Sequence, residues 1–288
     1  MLNYLKFIDI ALKISDRLPD YSSRYSRKDF TQKQLFVLFL LKQKSKLSYD
    51  NFVDDFSTRD SAMVELGLRK VPRASTLKMF VKRINYLIFE IILSSCVNLT
   101  RGGKINTAID STGFQLEDGS YSYLKRLGLS TKKRKNLKLS VVVNTNDHLF
   151  LAGKPRKGKA HDNKDFKPLL NKTLRNTKRK IRTNTSDKGY DDEKNHEFAE
   201  SRGFENIAPV RKKTKQHYRI HGEHRKRLAR KFPKKKYHRR SIIENMFFCV
   251  KRLCGKVIFA KKWFMQKKEV MGKIIAYNVH RLAQILEF

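Results

Sequence analysis

The chain has 288 residues, 40% of them hydrophobic, which is enough for a real core and speaks against global disorder. Its net charge of +38 and pI near 10.3 call for a polyanionic partner, and nucleic acid is the obvious one. A membrane surface would ask for basic amphipathic helices with exposed apolar faces, and the basic runs here are mostly not of that kind.

Cys96, Cys249 and Cys254 give neither a disulfide framework nor a four-ligand zinc site. On a helix Cys249 and Cys254 stand about 140° apart, so they read as buried thiols in a reducing cytosol. The first residues, Met1 to Asp9, lack the charged leader and cleavage site of a signal peptide. The most apolar run, Leu87 to Leu99, is interrupted by Glu90 and too short to span a bilayer. No membrane association is expected.

Residues 1–100 read as an all-helical domain. Thr31 and Gln34 fit a capping box, with Leu35, Leu38, Phe39 and Leu41 following at helical spacing. A second helix starts near Leu47, and Gly67 ends a short third one. Pro72 to Ser75 lead into a basic helix carrying Lys78, Lys82 and Arg83. This pattern fits a helix-turn-helix and a plain helical bundle equally well.

The texture changes after the linker Arg101 to Lys104. Lys104 to Ile109, Leu137 to Val143 and Leu149 to Ala152 read as three strands joined by short turns, an antiparallel meander. A helix capped by Asp162 follows, then a strand over Arg182 to Ser186. A helix from Asp192 is stopped by Gly203, and Asn206 to Val210 make a fifth strand. The basic stretch 211–239 has Glu223 as its only acid and is expected to form a short loop or hairpin. One helix should hold residues 237–251, and a last one Lys267 to Leu286.

On the helix over 237–251, Ile242, Ile243, Met246, Phe247, Val250 and Leu253 line one side. Tyr237, Arg240, Glu244 and Lys251 fall within a ~60° arc on another. Taken alone, that arc is a solvated face. Asp110 and Asp187 each end a predicted strand, where an isolated aspartate is a turn former. Taken together, three carboxylates in so basic a chain suit phosphodiester chemistry. Hard oxygen ligands can hold two divalent ions roughly 3.5–4 Å apart under a phosphate backbone.

The strand ending Ile109-Asp110-Ser-Thr-Gly, the strand ending Ser186-Asp187-Lys-Gly-Tyr-Asp191, and the spacing Y-x2-R-x3-E-x6-K met by Tyr237, Arg240, Glu244 and Lys251 carry a resemblance. The chain resembles a DDE transposase of the insertion-sequence type, in the group-four/group-five lineage. His161-Asp162 also resembles the family's pattern. The resemblance covers roughly residues 28–288. It implies an α/β fold, a ribonuclease H-like mixed five-stranded sheet flanked by helices over 101–288. Residues 1–100 would be a helical, transposon-end-binding domain. Asp110, Asp187 and Glu244 would be the catalytic residues and ligands of two Mg²⁺ (or Mn²⁺) ions.

The partners implied are double-stranded DNA, as terminal inverted repeats and target, and a second copy of the chain in a synaptic complex. The location implied is the nucleoid in the cytoplasm. Arg240 and Lys251 would clamp phosphates, and Tyr237 would stack on a base or donate to a phosphate. His161 would contact DNA or cap its helix. Lys132, Lys133, Arg134, Lys135, Arg211, Lys212, Lys213, Lys78, Lys82 and Arg83 would follow the DNA backbone. A non-catalytic DNA-binding protein, a structural RNA-binding protein and a stand-alone metal-dependent nuclease are the rival readings.

Overall fold

A computed structural model describes residues 4–100, 102–117, 126, 136–158, 161–211 and 220–286. The chain divides into two compact units. One comprises residues 1–100, 114–135 and 249–288, and the other residues 101–113 and 136–248. The C-terminal segment thus belongs with the N-terminal helices, an association that the expected division at residue 100 does not contain.

In the first unit α1 (Tyr4–Ile14), α2 (Gln32–Ser45), α3 (Tyr49–Ser57), α4 (Asp60–Glu65), α5 (Ala74–Arg83) and α6 (Tyr86–Asn98) precede the long C-terminal helix Trp263–Ile285. Thr31 closes the capping box with Gln34. Gly67, at φ 60°, ends the turn after α4. The stripe expected on α2 is too narrow. Every residue from Leu35 to Gln43 is buried, because α2 is wrapped by neighbours on all sides. Phe36, Phe39 and Phe89 pack as a triangle with ring centroids 5.6–6.1 Å apart.

The C-terminal helix carries buried charges that tie down backbone ends. Lys268 Nζ donates to the carbonyls of Val81 (2.8 Å) and Lys82 (2.9 Å), at the end of α5. Glu269 accepts the amides of Phe259 (3.1 Å) and Ala260 (2.9 Å). Lys273 Nζ donates to the carbonyls of Cys254 and Gly255. Carbonyls at a helix end have no intrahelical partner, so each ammonium replaces lost solvation. Cys96 and Cys254 are buried, as expected of thiols. Cys249 is exposed, because it stands on the polar side of its helix.

The second unit holds β1 (Ile105–Leu116) up to residue 113, β2 (Asn136–Asn144), β3 (Leu149–Lys157), α7 (Phe166–Asn176), β4 (Ile181–Ser186), α8 (Glu193–Ser201) and β5 (Glu205–Ile207). Next come α9 (Glu223–Arg230), α10 (Lys234–Tyr237) and the start of α11 (Ser241–Cys254). The strand order is β3-β2-β1-β4-β5. β2 and β3 are antiparallel, while β1–β4 and β4–β5 are parallel. The sheet is therefore mixed. In the first unit the last residues of β1 pair with a sixth strand, β6 (Val257–Ile258). The C-terminal helix Trp263–Ile285 is α12.

A buried polar ladder fixes the register of the parallel strands. Thr107 Oγ1 donates to Asn184 Oδ1 at 2.9 Å, and Asn184 Nδ2 to Asn206 Oδ1 at 2.9 Å. Thr183 Oγ1 donates to Asn106 Oδ1 at 2.8 Å, and Thr185 Oγ1 to the Thr107 carbonyl at 3.2 Å. A slipped register would strand several of these groups, at about 1–3 kcal/mol each.

Several local expectations are corrected. β1 runs on to Leu116, so Asp110 lies inside the strand and not at its end. The link from β1 to β2 is long, and only the β2–β3 connection is a tight hairpin. Asp162 opens a 3₁₀ turn, Asp162–Asp165, and α7 starts only at Phe166. The described part of the basic stretch is helical, as α9 and α10, and not a hairpin. The single helix over 237–251 is three pieces, with the 3₁₀ turn His238–Arg240 between α10 and α11. Of its expected apolar stripe, Ile243, Met246, Phe247 and Val250 are buried.

Two stability outcomes follow. A Cβ on Gly272 would sit 2.5 Å from Cε1 and Cζ of the buried Phe39 ring. Gly272→Ala should therefore destabilise by about 1–3 kcal/mol by denaturant melting, outweighing alanine's better helix propensity of about 1 kcal/mol. A gain in stability would show that Phe39 has room to move.

His196 is the second case. Its Nδ1 donates to the Asn206 carbonyl at 3.2 Å, while buried Nε2 has no partner among the described residues. Burial lowers its pKa, and Asp191, Glu193 and the Asn206 carbonyl oppose this while His224 adds to it. A depressed histidine pKa contributes stability that is present above about pH 6.5 and lost as pH falls through the folded-state value. Thermal melts should show that loss below pH 6.5, and His196→Leu should flatten it. An unchanged pH profile in the variant would place the acid sensitivity elsewhere.

Candidate active site

The site rests on the pairing of β1 with β4. Ile109 lies opposite Ser186, so the next residues along, Asp110 and Asp187, are side by side. Asp110 Oδ1 accepts the Ser111 amide at 2.8 Å. Asp187 caps the 3₁₀ turn Lys188–Tyr190 by accepting the Lys188 amide at 2.7 Å.

Arg240 joins the sheet to α11. Its Nη1 donates to Asp110 Oδ2 at 2.8 Å and its Nη2 to Glu244 Oε1 at 2.7 Å. The side chains of Asp110 and Arg240 are each 20% exposed, whereas that of Glu244 is 56% exposed. Burial raises the Asp110 pKa, and Asp187 and Asp162 push it further against the Ser111 amide and Arg240. Burial would lower the Arg240 pKa, but Tyr237, Asp110, Asp187 and Glu244 outweigh it and raise it. Tyr237 is raised by burial and by Asp187 and Asp110, with Arg240 opposing. The site is thus a knot of like charges around one guanidinium.

Sequence reasoning misses Asp162 as a site neighbour. It accepts from Ser111 Oγ at 2.9 Å and pairs with Lys138, instead of capping a helix. Its place just before α7 is visible in the sequence, but no local pattern reveals a partner on β1. Tyr190 is buried, and its pKa is raised by that burial and by Asp162, Asp110, Asp165 and Asp187.

Asp191 is a second residue whose role the sequence does not reveal. Arg225 grips it with two bonds of 2.9 Å, and the Arg211 amide reaches its Oδ2 at 2.7 Å. Glu193 accepts the amides of His224 (2.9 Å) and Arg225 (3.2 Å) at the start of α9. The segment after Asp187 therefore holds the start of the basic stretch at Arg211 and its middle at His224 and Arg225.

The other expected DNA-binding residues fall in both units. Lys251 lies on α11 in the first unit, its ammonium 5.5 Å from the centre of the Phe114 ring and its pKa lowered by burial. Lys78 pairs with Asp50 at 3.0 Å, and Lys82 and Arg83 are exposed at the end of α5. Arg211 Nε donates to the Lys188 carbonyl at 2.8 Å, so its side chain fastens the loop after Asp187. His161 is exposed and its side chain caps nothing, which corrects that expectation. Lys132, Lys133, Arg134, Lys135, Lys212 and Lys213 lie outside the described residues.

Carboxylate oxygens are the donors that hard divalent ions prefer, and Asp110, Asp187 and Glu244 supply only those. Arg240 already shows that Asp110 and Glu244 share one cation. Among the described residues, no three acidic, histidine or cysteine side chains stand as a finished metal cage.

A family model described as a transposase DDE domain matches residues 101–279. The fold is similar to that of piggyBac transposase in a synaptic complex with hairpin DNA. The TM-score is 0.51 and the identity 11%, over 97% of this chain and 71% of that one. The Mos1 strand transfer complex aligns at a TM-score of 0.33 and 11% identity, over 92% of this chain and 78% of that one. No curated protein matches the sequence. With more than half of its length matched and a mixed, helix-flanked, ribonuclease H-like sheet, the chain belongs to the transposase DDE domain family.

Proposed function

We propose that this transposase hydrolyses phosphodiester bonds at the ends of a mobile DNA element and joins the freed 3′ hydroxyl to target DNA. The observation that carries the reading is Arg240, which spans Asp110 and Glu244 next to Asp187. Asp110, Asp187 and Glu244 are the residues that would hold Mg²⁺ or Mn²⁺, as two ions. Bound metal would supply Lewis acidity toward the attacking and leaving oxygens.

The chain's own groups do the rest. Asp110 is held within β1 and Asp187 at the end of β4, each accepting the amide of the residue that follows it. Arg240 carries a planar fork suited to a phosphate as well as to a carboxylate. Tyr237 stands next to it, and its phenol hydroxyl can donate. The expected substrate is duplex DNA, bound by two copies of the chain at paired element ends. Among the described residues, no helix is long and apolar enough to cross a membrane. Work in the cytoplasm, on nucleoid DNA, completes the reading.

Cleavage of a labelled element end in Mg²⁺ or Mn²⁺ tests it. Glu244→Gln keeps the helix but removes a charge, and should abolish both cleavage and strand transfer with the fold intact. Wild-type cleavage by that variant would sink the mechanism. Cleavage without strand transfer by the unaltered chain would point to a stand-alone nuclease.

Arg240→Ala should lose activity only in part. A charge-assisted hydrogen bond contributes about 1.5–3 kcal/mol, or roughly 10- to 150-fold in rate. Full activity in Arg240→Ala would reduce this arginine to a structural tie.

A further inference from the structure

The second unit has a cavity away from the carboxylates, where β1 and β4 begin and the β2–β3 turn folds over. It measures about 840 Å³ and is lined by Lys104, Asn106, Thr145, Asn146, Arg182 and Arg239, among others. Three cations face it and no carboxylate lines it. Lys104 and Arg182 are exposed and have no carboxylate partner among the described residues.

The hydrogen bonds in its wall use up acceptors and leave donors. Asn146 Oδ1 accepts from Arg239 Nη1 at 3.1 Å and from Asn106 Nδ2 at 3.3 Å. Asn106 Oδ1 accepts from Thr183 at 2.8 Å, and its carbonyl accepts from the Thr145 amide (2.9 Å) and hydroxyl (3.1 Å). A guanidinium has five N–H donors, and Arg239 spends one of them here. The amide hydrogens of Asn146 and both remaining cations are also unspent. Such a lining favours an anion with several acceptor oxygens. Arg239 is also the chain neighbour of Arg240, which is bonded to Asp110.

We infer that this cavity seats a backbone phosphate of the DNA strand that passes the Asp110–Glu244 centre. This rests on the proposed function and adds an anchor point that none of the signature residues supplies. Free phosphate shares the chemistry, so the test separates the two sources.

Binding of a labelled duplex to the full chain is followed by fluorescence anisotropy across a salt series. The variants are Lys104→Gln/Arg182→Gln, each single change, and Lys194→Gln as an exposed charge loss elsewhere. Each phosphate that the protein no longer neutralises should make the log–log salt slope shallower by about 0.9. The double variant should therefore have a slope shallower by about 0.9 and bind more weakly on any sequence, while Lys194→Gln keeps the wild-type slope. Circular dichroism checks folding, and the single variants stand in if the double one is unfolded.

A double variant with the slope of Lys194→Gln, while wild type binds well, would overturn the inference and leave the proposed function standing. A wild-type chain that binds no duplex would overturn both. Inorganic phosphate at matched ionic strength is the second arm. If the variants lose sensitivity to phosphate but keep the DNA slope, the cavity is a small-anion site and the inference fails.

Discussion

The arrangement depends on the buried polar ladder that sets β1 against β4. Thr107, Asn184 and Asn206 hydrogen-bond across three parallel strands, and Thr183 and Thr185 reach back to β1. Apolar side chains alone would tolerate a slipped pairing more readily, since their attraction has no direction. The ladder does not, because each slip leaves buried donors or acceptors unmet. A shift by one residue would also turn Asp110 to the other face of the sheet. Precision at the site is therefore set several residues upstream of it, by amides and hydroxyls with no chemical role.

The second dependence is electrostatic. Asp110 is mostly buried, and two further aspartates raise its pKa. Arg240 moderates this cost from a segment far along the chain. That segment is a short 3₁₀ turn between two helices, so the arginine is delivered by a bend and not by the regular face of one long helix. The same bend puts Arg239 beside Asn146 and Arg240 beside Asp110, two neighbours serving two places.

The sequence is legible wherever its chemistry is local. The capping box at Thr31, the stop at Gly67 and the helix from Asp192 to Gly203 all follow from side chains acting within a few residues. So does the Asn144 to Asp147 turn, where Asn144 accepts the Asn146 amide at 2.9 Å. Partners distant in sequence are not legible. β1 outruns its expected end because Gln115 and Leu116 find β6, which no pattern near Asp110 announces. The full burial of α2 reflects α12, more than two hundred residues later. Asp162 reads as a cap because its actual partners, Ser111 and Lys138, lie on strands. Within the candidate site, the adjacency of Asp110 and Asp187 requires only that two strands be neighbours. The bridge made by Arg240 requires three dimensions.

Asp191 receives Arg211 from one side and Arg225 from the other. A single carboxylate thus clasps the two stems of the intervening segment, and Glu193 fastens the second stem again through His224. Gly222 leaves room for that glutamate, since a Cβ there would collide with its carboxylate. Closing a longer loop costs only about 0.6 kcal/mol per doubling of its length. Material inserted between the stems would therefore hang from a fixed clasp without disturbing the sheet. The stretch after Arg211 is therefore where added length would disturb Asp110 and Asp187 least.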